Sequence, residues 1–67
     1  MKVTYNKLWK LMIDNHLMKK DLKEKANIST GTMAKISKNE CVNLSIIVRI
    51  CEVLNCDIGD IVEIVEE

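Results

Sequence analysis

Hydroxyl and ammonium side chains crowd one stretch of this chain: Ser29-Thr30-Gly31-Thr32, then Lys35, Ser37 and Lys38. Such groups donate hydrogen bonds and hold negative charge, but they do not by themselves break bonds. Catalysis needs more than this chain offers. His16 is the single histidine, and no Ser/His/Asp spacing, glycine-rich phosphate loop or set carboxylate pair accompanies it. An enzyme is therefore not expected. Cys41, Cys51 and Cys56 are odd in number and form no CxxC pair, so with His16 they make no zinc site. Three reduced thiols are expected, with no metal and no other cofactor. What remains is recognition, and the available charges and donors suit a polyanion.

These side chains need a rigid carrier. Leu22 and Ala26, four apart, and Met33 and Ile36, three apart, mark the inner faces of two short helices, at about Lys19 to Lys25 and from Ser29 or Thr30 to Ser37. Asn27 sits at the bend and tolerates a left-handed backbone, Ile28 plugs the gap, and Ser29 can cap the second helix. A helix pair this compact, with hydroxyls and lysines outward on its second member, is the unit that places a helix in the DNA major groove. Upstream, Asn6 is a candidate cap for a helix running to about Asn15, with Leu8, Leu11 and Met12 inward and Trp9 and Ile13 widening the apolar arc. His16 suits a left-handed helix end. Downstream, Asn43 or Ser45 begins a fourth helix whose inner face is Ile47, Ile50, Cys51 and Leu54, with Ile46 and Val53 off that stripe. Asp57 can cap a last turn through Ile61. The β-branched run Ile61 to Val65 reads as a strand, with Met1 to Tyr5 as its partner, either within one subunit or by exchange between two.

Sixty-seven residues make one domain, residues 1–67. A chain this short is marginally stable alone unless it packs well or associates. With one Trp, one Tyr and no Phe, its core must be aliphatic. No apolar run approaches the roughly 18 residues needed to span a bilayer, so no membrane partner and a cytoplasmic location are expected. The net charge is zero but unevenly spread. Residues 1–40 carry nine lysines against four acids, and residues 41–67 carry one arginine against six. That polarity aims the first half at a polyanion. The apolar positions in surplus of a small core, Trp9, Ile13, Ile46, Val53, Ile64 and Val65, are the candidate homodimer interface.

Three stretches carry a family resemblance: L-W-K-L-M-I-D-N-H-L-M-K-K-D-L at 8–22, A-N-I-S-T-G-T-M-A-K-I at 26–36 and I-C-E-V-L-N-C-D-I-G-D-I-V at 50–62. In order and spacing they resemble the Cro/C1-type (XRE) helix-turn-helix regulators, most of all the minimal stand-alone members. The resemblance implies an all-α, five-helix lambda-repressor-like DNA-binding domain, with the helix-turn-helix unit at about 18–38. To this the termini can add a small two-stranded ribbon. By position in the family motif, Thr30, Gly31 and Lys35, with Thr32 and Ala34 beside them, would read bases. Lys19, where the family usually has Gln, would hold phosphates with Ser29, Lys38, Asn39 and Asn43. Lys23 replaces the small Ala common in the family, so its stem must run out to solvent. Gly31 removes a side chain from the reading face.

The implied function is a sequence-specific DNA-binding transcriptional regulator, a repressor from a mobile-element or prophage-like context. It would insert helix three into the major groove and act as a homodimer on double-stranded DNA. The alternative is a protein-interaction module on the same fold, antirepressor or antitoxin-like.

Overall fold

The computed structural model describes residues 1–66, so Glu67, one of the acids counted above, lies outside the described residues. In chain order it contains β1 (Lys2–Thr4), α1 (Asn6–Asp14), α2 (Lys19–Lys25), α3 (Thr30–Ser37), α4 (Leu44–Leu54), a 3-10 turn (Ile58–Asp60) and β2 (Glu63–Val65). The bounds of α2 and α3 are those expected from the sequence.

All four α-helices stop on a left-handed residue that is not glycine: His16, Asn27, Asn39 and Asn55, with φ of 56°, 54°, 59° and 51°. This turn lets the last carbonyls find donors. After α2, for example, the Asn27 N–H donates to the Glu24 carbonyl at 3.2 Å and the Ile28 N–H to the Lys23 carbonyl at 2.9 Å. Ile28 is then carried inward, where it is 4% exposed. The expected bend at Asn27 and plug at Ile28 are both present.

The helix starts are less uniform. Asn6 does not cap α1; it is the first helical residue, and Tyr5 holds the cap position without a side-chain cap bond. A tertiary anchor does the work instead. Tyr5 is 2% exposed, its hydroxyl donates to the Glu40 carbonyl at 2.7 Å, and its N–H donates to Asn39 Oδ1 at 3.2 Å. Burial, with Cys41 nearby as the smaller cause, raises the Tyr5 pKa and keeps the phenol a donor. In α2 the Met18 N–H donates to Asp21 Oδ2 at 3.0 Å, half of a reciprocal cap.

The expected fifth helix is reduced to the three-residue 3-10 turn. Asp57 starts it as expected, accepting from the Ile58 N–H at 2.8 Å. The β-branched residues that follow enter β2, which leaves too few residues for an α-helical ladder. The described residues thus form four α-helices and a two-stranded antiparallel ribbon, in the register Lys2–Val65, Val3–Ile64, Thr4–Glu63.

Leu8, Leu22, Ile36, Ile50 and Ile61 are fully buried, joined by Met12, Ala26, Met33 and Ile47. Every α-helix therefore turns a stripe onto one core, and helix burial rather than propensity fixes the helix pair. Ile46 and Val53, read as a second contact surface, are half-buried against this same core. No helix of the described residues is long and apolar enough to cross a membrane.

Candidate nucleic-acid interface

α3 begins where Ser29 turns the chain, its Oγ accepting from the Thr32 N–H at 3.2 Å and lying 3.0 Å from Thr32 Oγ1. The Ser29 hydroxyl is thereby engaged in starting the helix, and Thr32, half-buried, is turned partly toward it. Thr30, Gly31, Ala34 and Lys35 are all exposed. These four form the free outer face of α3, while Met33 and Ile36 anchor the opposite side.

Lysines of α2 hold both ends of α3. Lys23 Nζ donates to Thr30 Oγ1 at 2.6 Å and Lys19 Nζ to Ser37 Oγ at 3.3 Å. Lys23, whose stem was expected to run out to solvent, is half-buried and reaches the start of α3 instead. That contact has a chemical effect. A hydroxyl accepting from an ammonium directs its own proton elsewhere, so Thr30 is set as an outward donor. Lys19 also sits 4.6 Å above the centre of the Trp9 ring, a cation–π contact that fixes its position.

The remaining candidates divide. Lys35 and Thr32 meet Asn43, at the start of α4, across a groove of about 300 Å³ that Ile46 also lines. Lys38 is exposed at the end of α3. Asn39 is exposed, but its Oδ1 is taken by the Tyr5 N–H. The six residues expected at a dimer interface do not share one face. Trp9 and Ile13 line a trough beside Lys19, Ile46 lines the groove beside Lys35, Val53 packs on the core, and Ile64 lies on the ribbon beside Ile58 and Leu44. Val65 is half-buried opposite Lys2.

Sequence reading missed two supports. Arg49 Nη1 donates to the Asn27 carbonyl at 2.9 Å, tying α4 to the bend between α2 and α3. Trp9 carries Lys19. Neither has a periodic signal, because each contact joins separate elements; only the isolation of the one Trp and one Arg in the chain sets them apart. Among the described residues, no group of His, Cys, Asp and Glu side chains gathers that could hold a metal ion.

The backbone is similar to that of a solved structure of the transcriptional regulator VanUg, with a TM-score of 0.95 and 52% sequence identity over 98% of this chain and 88% of that one. No curated protein matches the chain. A model of the Cro/C1-type helix-turn-helix DNA-binding domain matches residues 7–67, and the chain belongs to that family.

Proposed function

We propose that this protein is a sequence-specific DNA-binding transcriptional repressor that seats α3 in the major groove and acts in the cytoplasm as a homodimer. The observation that carries it is the exposed face Thr30-Gly31-Ala34-Lys35, framed by Lys19 and Lys38 at the end of α3 and by Asn43 across the groove beside Lys35. Thr30, primed as a donor by Lys23, suits guanine N7 or O6 or another groove acceptor, and Lys35 suits the same guanine edge. The Gly31 and Ala34 backbone lets α3 sit close to the bases. Lys19, Lys38 and Asn43 supply phosphate contacts, and these fix register rather than sequence. Ser29 and Asn39 contribute through the helix starts and ends they stabilise, as well as through any phosphate contact.

A second copy is best accommodated by Leu44, Val48, Ile58 and Ile64, which are 64%, 48%, 43% and 63% exposed. Leu44 and Ile58 line two adjoining grooves on this side, so the four make one continuous apolar face. It leaves Lys19 and the outer face of α3 free, and would present two recognition helices to half-sites about 34 Å apart. Blocking promoter access then represses.

The VanUg likeness supports transcriptional regulation. Fluorescence anisotropy against a promoter library tests the proposal. Affinity should fall steeply with salt, and Lys35→Ala should weaken binding and relax selection at one base position. Binding that ignores salt, or none at low salt, refutes it. The second reading, an interaction module that binds no DNA, is favoured by the apolar trough at Trp9 and Ile13. A Lys19→Ala, Lys35→Ala double variant that keeps full function would support it.

A further inference from the structure

Trp9, Ile13, Leu17 and Met18 line an open trough of about 520 Å³ between the end of α1 and the start of α2, with Lys19 and Lys20 on its rim. Ile13 is 72% and Met18 63% exposed, although the chain has only a small core to fill. Apolar side chains this accessible, gathered in one trough and rimmed by charge, mark an interaction site. The lip is too open to enclose a small molecule, and it fits the side-chain row of a docked helix better. Met18 is an adaptable wall for such a row. The rim decides the sign of the partner. Its two charges are both lysines, within a first half of the chain that carries nine lysines against four acids.

We propose that this trough receives a short amphipathic helix of a partner protein, with leucine-like anchors on its inner face and acidic residues flanking them. Anchors fill the space between Trp9, Ile13 and Met18, and carboxylates pair with Lys19 and Lys20. A regulatory consequence follows, and it rests on the proposed DNA-binding reading. Lys19 Nζ stands over Trp9 and also contacts Ser37 at the end of α3, so one ammonium belongs to both the trough and the phosphate-facing surface. A carboxylate seated on Lys19 competes with phosphate for it. The acidic helix therefore weakens DNA binding.

Trp9 is the one tryptophan of the chain and reports occupancy directly. The probe is a synthetic helical peptide with leucines at i, i+3, i+4 and i+7 and glutamates elsewhere. Two controls replace its glutamates by lysines or its leucines by serines. Titration with the glutamate peptide should shift Trp9 emission saturably, with both controls at least about tenfold weaker. Ile13→Glu, an exposed substitution, should lose peptide affinity by a similar factor while DNA affinity is retained. Equal binding of the lysine peptide overturns the proposal, as does an unchanged titration of Ile13→Glu. With DNA present, the glutamate peptide should raise the apparent Kd for DNA. A ternary complex with unchanged DNA affinity overturns the shared role of Lys19. Absence of DNA binding before any peptide is added refutes the DNA-binding reading and the displacement with it. The Trp9 titration still decides the trough.

Discussion

Gly31→Ala separates the stability of the recognition helix from its use. Gly31 is exposed on the first turn of α3, its φ is not positive, and a Cβ built on it meets nothing within 4 Å. The fold therefore does not require glycine there. Alanine removes the backbone entropy that glycine loses on entering a helix, a gain of about 0.5–1 kcal/mol. In a domain of this size each kcal/mol moves Tm by roughly 4–8 °C, so a rise of about 2–8 °C is expected. Circular dichroism melts measure it. The same methyl stands on the face proposed to meet base edges, so it should alter the bound sequence at one or two positions per half-site. Selection from a randomised duplex pool followed by sequencing reads that change. Gly59→Ala is the control, because its Cβ is equally unobstructed but lies in the 3-10 turn, away from α3. A lower Tm for Gly31→Ala would show that residue 31 is not an open helical position. A higher Tm with an unchanged set of selected sequences would refute the placement of this face against bases.

Thr4 is 8% exposed and its Oγ1 has no hydrogen-bond partner among the described residues, so Thr4→Val should raise stability by about 1 kcal/mol, read as a higher urea midpoint. Cys56 lies beside Cys51 at the end of α4, and burial first, then Cys51 and the nearby Asp60 and Asp57, pushes its pKa from 9.0 up to about 11. Because the folded state holds this proton longer than the unfolded chain, its contribution to stability is full below pH 9 and is lost as pH rises toward 11; urea midpoints between those pH values should fall, and Cys56→Ser should flatten the fall. For the dimer face, burying the half-exposed Leu44, Val48, Ile58 and Ile64 contributes about 1 kcal/mol per side chain. Set against an association cost of about 4–15 kcal/mol, this gives a weak dimer that Ile58→Glu should dissociate in sedimentation equilibrium, and an unchanged mass for Ile58→Glu would count against this face.

The helix pair was legible because its signals are local. Apolar positions three and four apart, an Asn at the bend and a Ser at the next helix start sit within a dozen residues and state their own geometry. The same held for His16, where a left-handed end was expected and φ is 56°. Long-range choices were less legible. Asn6 looks like a cap, yet the start of α1 is set by Tyr5, whose partners Asn39 and Glu40 are far along the chain. Ile46 and Val53 fell off the inner stripe of α4, but a small core with few aromatics uses more of each helix than one stripe. The fifth helix lost to strand pairing because Val3 and Ile64 sit opposite one another, a register that no local spacing states.

Residue types in the candidate interface were legible; their engagements were not. From sequence, Lys19, Lys23 and Lys35 are three comparable cations near a helix. In the fold, Lys19 rests on Trp9 and Ser37 and Lys23 on Thr30, while the Lys35 ammonium has no hydrogen-bond partner among the described residues. The distinction governs how substitutions should be interpreted. Truncating Lys19 or Lys23 removes a charge and also a strap between α2 and α3, so a loss of DNA affinity there mixes electrostatics with the angle of the recognition helix. Truncating Lys35 leaves both straps in place, and its effect isolates contact with the nucleic acid. The first two lysines are therefore positioning residues as well as candidate ligands, and the third is the sharper probe of whether α3 enters a groove at all.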